Sequence, residues 1–115
     1  MQTEASWAPD NLSTLNVLVF YSPVDATESV LAAVFEAGAG AVGNYDQSAF
    51  ISQGTGQFRP LAGANPAIGE VGALTKLDEH RVEVTFPAHL RKTVVAALRK
   101  AHPYEEPAFH VVSTV

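Results

Sequence analysis

Two amphipathic helical stripes interleaved with β-branched, alternating strands predict an α+β domain of βαββαβ order. This is the ferredoxin-like split βαβ arrangement, an antiparallel sheet with both helices on one face. The helical stripes are Val30, Leu31, Val34 and Phe35, and then Leu90, Val94, Ala97, Leu98 and Ala101. The clearest strand pattern is Arg81–Phe86 (RVEVTF), where Val82, Val84 and Phe86 alternate with Arg81, Glu83 and Thr85.

From the N-terminus, residues 1–14 are polar and aperiodic apart from Trp7, and read as a flexible leader. The domain is expected over residues 15–115. Leu15–Tyr21 (LNVLVFY) is a nearly continuous apolar run, as in a buried central strand. Ser22-Pro23 ends it, and Asp25 with Glu28 three positions later predicts a capping box. Gly38 is a natural left-handed helix stop. Ala41–Ser52 has strand character, and Gly54-Thr55-Gly56 is a turn signal, so a long hairpin with two or three strands is expected mid-chain. Val71–Leu77 is a weaker strand candidate. Pro87 opens the second helix, Ala88–Ala101, Pro103 stops it, and Phe109–Val115 is the final strand.

Composition bounds the rest. At 115 residues the chain is one domain's length, and 47% hydrophobic against 17% charged residues supports a packed core. A chain this size buries roughly two thirds of its surface. There is no cysteine, which removes disulfides, thiolate metal sites and cysteine nucleophiles. A net charge of −5 argues against nucleic acid as a partner. Leu15–Tyr21 is too short to span a membrane, and the first residues lack a signal-peptide pattern, so a cytoplasmic protein is the expectation.

Three segments carry candidate chemistry. Gly38-Ala39-Gly40-Ala41-Val42-Gly43 matches G-x-G-x-x-G literally, but it follows a helix and precedes a strand. A phosphate there would meet the negative end of the helix dipole, so dinucleotide binding is not expected. Gly54-Thr55-Gly56-Gln57-Phe58-Arg59 reads either as a hairpin tip or as a loop whose N–H groups and Arg59 hold an anion. His102-Pro103-Tyr104-Glu105-Glu106-Pro107 is the densest: an imidazole, a phenol and two carboxylates, stiffened by prolines at both ends. His102 and Glu106 are the candidate ligands for a divalent metal ion, which would be the cofactor. The same segment can equally be structural, or can lie at a subunit interface with Tyr104 and Glu105. His80, His89 and His110 are scattered, and no nucleophile-elbow or zincin pattern is present.

GAGAVG at 38–43, Asn44-Tyr45, Phe50, Gly54-Thr55-Gly56, Phe58, Pro60, Asn65-Pro66, Ile68-Gly69, Glu79, Arg81, Glu83 and HPYEEPA at 102–108 stand in one order. This combination resembles the YqfO-type insertion domain of the dinuclear-metal-centre hexameric family, over about Leu15–Val112. The resemblance implies a PII/CutA-like fold, and those folds assemble as trimers. Two positions depart from the family pattern: Gln47-Ser48 replaces a His-Cys pair, and His110 replaces an aspartate. The family's two metals are held by halves that flank the insertion domain. The resemblance therefore implies a free-standing binding or regulatory module, not an enzyme, forming a homotrimer that binds a small ligand or a partner protein. The alternative is a metal-binding protein or enzyme with a site built across subunits around the HPYEEP segment.

Overall fold

The computed structural model describes residues 14–114, so the expected leader and Trp7 lie outside the described residues, Thr14 excepted. The elements are β1 (Leu15–Pro23), α1 (Thr27–Glu36), β2 (Phe50–Phe58), β3 (Thr75–Pro87), α2 (Arg91–Ala101) and β4 (Phe109–Ser113). Short 3-10 turns, Val24–Ala26 and Ala88–Leu90, lead into the two helices. The four strands form one sheet in the order β2-β3-β1-β4, antiparallel at every pairing. This is the α+β, ferredoxin-like arrangement that the sequence predicts.

Strand parity sorts the side chains. Leu18 and Phe20 of β1 and Val82, Val84 and Phe86 of β3 are 2% exposed or less and meet Val30, Val34, Val94 and Leu98 from the helices. Each such large side chain removes about 2–3 kcal/mol worth of apolar surface from water. Val17, Val19 and Tyr21 point to the opposite face, beside Thr85, Glu83 and Arg81 of β3. Val19 is 2% exposed on that second face, which also carries Phe50, 65% exposed, and Val112, 46% exposed. Among the described residues, no helix is long and apolar enough to cross a membrane.

Gly38 closes α1 as expected. It adopts φ 112°, the Ala39 N–H donates to Val34 O, and the Gly38 N–H donates to Phe35 O, which together make a Schellman motif. The glycine run thus begins as a helix exit.

Several local expectations are corrected. The Asp25–Glu28 capping box does not form: Ala26 is the α1 N-cap and no side chain caps it, because a 3-10 turn precedes the helix. Residues 41–49 are not strand; only an isolated Val42–Tyr45 bridge forms before β2 starts at Phe50. Gly54-Thr55-Gly56 is not a turn. It lies inside β2, paired with Glu79, Asp78 and Leu77 of β3. Val71–Leu77 and Arg81–Phe86 are not separate strands either: β3 runs unbroken over 13 residues from Thr75. The hairpin reverses in the segment between Phe58 and Thr75, closed by the Gly72 N–H donating to Pro60 O at 2.7 Å. The helix expected from Ala88 begins as a 3-10 turn, and the last strand ends at Ser113.

Candidate functional site

The HPYEEP segment is fixed by its first residue. Leu98 O accepts the His102 N–H, and His102 itself is extended at φ −73°, ψ 135°, as a residue before proline prefers. Its imidazole is buried, 5% exposed. Nδ1 lies 3.1 Å from the Tyr104 N–H, which can only donate, so Nδ1 accepts. The ring proton is therefore on Nε2, which donates to Tyr21 O at 2.7 Å. Both ring nitrogens are committed to backbone groups, and His102 has no lone pair to offer a metal in this arrangement. Among the described residues, no group of three His, Asp or Glu side chains is placed to hold a metal ion. In this arrangement His102 acts as a support bonded to the backbone at both ring nitrogens.

With its backbone held by His102, Tyr104 turns its ring against Phe58 edge-on, centroids 5.7 Å apart. Its hydroxyl donates to Glu79 Oε2 at 3.0 Å. The phenol is held above the ordinary tyrosine range, first by burial, then by the Glu79 hydrogen bond and the negative charges of Glu79 and Asp25. It is a neutral donor at physiological pH. Glu105 Oε1 accepts the Asn65 N–H at 2.9 Å, which ties the segment to the long hairpin connection. The Tyr21 N–H donates to Ala108 O, which ties it to the end of β1.

These ties enclose a cleft of about 350 Å³. Its apolar walls include Phe58, Pro60, Pro66 and Ile68, and its polar groups include Tyr21, Arg59, Glu79, Tyr104, Glu105 and Glu106. Tyr104, Glu105, Glu106 and Arg59, all singled out in the sequence, are thus brought together. His102 lies beneath as the support. Gly54 and Gly56 do not line the cleft, and neither has a positive φ, so no backbone anion nest forms there. Gly56 has another use: a Cβ at this position would collide with the Glu79 carboxylate, which crosses the space a side chain would fill.

Glu79 and Tyr21 are site residues that reading the chemistry-bearing motifs missed. The signal was present as strand parity: Gly54 and Gly56 stand on one face of β2, leaving room for a long side chain from the facing strand. It became readable only once the segment was known to be strand.

Elsewhere, Ser22 and Thr27 form a buried hydroxyl pair at 2.7 Å, and Thr27 Oγ1 also meets His80 Nδ1 at 2.7 Å. Both hydroxyls are walled in by the core, 0% and 3% exposed. His80 thus serves packing, and His89 and His110 are exposed.

No family model matches this chain. Curated proteins do. The GTP cyclohydrolase 1 type 2 homolog of Mycobacterium tuberculosis (strain ATCC 25618 / H37Rv) is 52% identical over 101 residues, covering 88% of this chain and 27% of that protein. The homolog of Bacillus subtilis (strain 168) is 46% identical over 104 residues, 90% of this chain and 28% of that protein. The chain therefore spans little more than a quarter of the length of these relatives. Among solved structures, a Bacillus cereus protein related to NIF3 superposes with TM-score 0.76 at 38% identity, over 93% of this chain and 27% of that one. The periplasmic divalent cation tolerance protein CutA of Archaeoglobus fulgidus gives TM-score 0.60 at 14% identity, over 85% and 81% of the two chains. GlnK of B. subtilis gives 0.57 at 11%, over 88% and 85%. The last two are likenesses of fold alone.

Proposed function

From the kinship of this chain with one segment of the YqfO/NIF3 proteins, and from its CutA- and GlnK-like fold, we propose a binding and regulatory module. Its ligand occupies the cleft between the hairpin connection and the HPYEEP segment. The activity in the relatives' name is said of proteins about three times as long, and is not transferred here.

The observation that carries this reading is the cleft itself. Its apolar walls and few convergent polar groups suit a small organic molecule, and its volume of about 350 Å³ falls within the usual range for such sites. The residues that bear chemistry meet there, although they come from segments 40 positions apart in the chain (Asn65 and Glu105 are joined by a hydrogen bond).

The cleft lies at the Tyr21–Glu79 end of the sheet face turned away from the helices. That face carries exposed Phe50 and Val112, and a homotrimer packed through it would shield them from water. A ligand at the rim of such an interface can act on assembly, which is the regulatory part of the proposal. A cytoplasmic location goes with it.

Backbone amide spectra recorded with a fragment collection test the site, and light scattering tests the assembly. Shifts should cluster at Ala64, Ile68 and Tyr104, and the mass should be three times that of the chain. A monomer at micromolar concentration, converted to nothing larger by any fragment, would overturn the assembly. Shifts confined to other surfaces would overturn the site.

A further inference from the structure

We infer that the cleft selects a ligand bearing a cationic nitrogen, an amine or amidine on a flat apolar body, and that Glu79 is its counter-ion. This rests on the reading of the cleft as a ligand site and adds the chemical class of the ligand.

The charges lining the cleft are unequal. Glu79, Glu105 and Glu106 stand against Arg59, which is exposed. Asp25 adds a further negative charge close enough to act on the Tyr104 phenol. An anion entering here would face net repulsion, and a cation net attraction.

The carboxylates are not equivalent. Glu105 spends Oε1 on the Asn65 N–H. Glu106 is exposed to water. Glu79 is part-buried on the sheet, over Gly56, and accepts only the Tyr104 hydroxyl through Oε2. Among the described residues, no donor meets its Oε1. A part-buried carboxylate whose Oε1 meets no protein donor is free to accept from a bound group, and a charged donor is its best complement.

The surroundings set the rest of the ligand. Phe58 and Tyr104 are packed edge-on, 5.7 Å apart, beside the carboxylate. Aromatic faces next to an anion favour a cation over a neutral group of the same shape. Pro60, Pro66 and Ile68 offer rigid apolar contact to a ring. Gly56 lacks a side chain and so leaves the space in which the Glu79 carboxylate lies, which fixes where the counter-ion stands.

The experiment uses the full chain and three probes of nearly one shape: benzamidine, benzamide and benzoate. Binding is followed by amide shifts and titration. Benzamidine should bind at least about tenfold tighter than benzamide, with benzoate the weakest; tenfold corresponds to about 1.4 kcal/mol. Glu79→Gln should bring benzamidine down to the benzamide level and leave benzamide unchanged. Should that variant not fold, the parent still decides: benzamidine affinity should fall as salt is raised from about 0.01 M to about 1 M, and benzamide affinity should not. Equal binding of all three probes in the cleft, or benzamidine preference that survives Glu79→Gln, rejects the cation and leaves the cleft reading standing. No shift at cleft residues with any probe rejects both.

Discussion

The Tyr104 hydroxyl donates to Glu79 at 3.0 Å, joining the loop after α2 to the middle of β3. The bond depends on two other residues. His102 fixes the Tyr104 backbone through its own Nδ1, and Gly56 leaves the space in which Glu79 lies. A helix terminus, a loop and two strands thus converge on one phenol–carboxylate contact.

The first prediction concerns alkaline pH. The folded phenol ionises at a higher pH than the free side chain, first because of burial and then because of Glu79 and Asp25. Above tyrosine's ordinary value of 10.0, the unfolded chain releases this proton before the folded one does. Protons bound in the unfolded state then number fewer than in the folded state, and stability falls as pH rises. The contribution is complete below that value and is lost on the way to the folded one. Urea midpoints of the parent and of Tyr104→Phe should therefore draw together between about pH 9 and about pH 11. Parallel curves across that window would refute it.

The second concerns Gly56. Gly56→Ala puts a methyl group where the Glu79 carboxylate lies, so the carboxylate must swing away from Tyr104. Alanine also restricts the unfolded chain, which is stabilising, so the single substitution is a poor gauge. A double-mutant cycle with Tyr104→Phe isolates the contact. Tyr104→Phe should cost about 1 kcal/mol in the parent and markedly less in the alanine background. Additive effects in the cycle would show that Glu79 keeps its bond by another path.

The third concerns His102. Replacing it with alanine strands the Tyr21 carbonyl and the Tyr104 N–H that its ring now serves. Losing both should cost about 2–3 kcal/mol in equilibrium unfolding. His89→Ala, at an exposed position leading into the same helix, should change stability by less than about 0.5 kcal/mol. If the two variants unfold at the same denaturant concentration, the structural role assigned to His102 is wrong.

Period and punctuation made most of the fold legible. The Val82–Val84–Phe86 alternation and the two helical stripes lie where the core is, and Gly38 and Pro103 mark the helix ends. The misreadings cluster around β2. Gly54 and Gly56 carry the local signature of a turn, yet both pair within the ladder to β3. Tertiary pairing outweighed local propensity there, because cross-strand partners decide whether a glycine-bearing segment is extended. The same error hid Glu79, whose place over Gly56 has meaning only between paired strands. In the HPYEEP segment the residue types were readable as chemistry, but their division of labour was not. One imidazole turned inward to backbone partners, and that choice depends on Tyr21, 81 positions earlier.

The reach of β3 has a consequence for how the molecule opens. Its pairing with β1 ends at Glu79, whereas its pairing with β2 continues to Thr75. Residues Thr75–Asp78 and Thr55–Phe58 therefore form a two-stranded ribbon beyond the body of the sheet, and a two-stranded ribbon has little stability of its own. Amide protons in the ribbon should exchange with solvent through local opening, at a free energy well below that of global unfolding, while those of Leu18 and Val84 wait for the whole domain to unfold. The cleft is built on that ribbon. Its occupant would raise exchange protection there and leave the core unchanged, so the fold keeps its adjustable part separate from the part that holds it together.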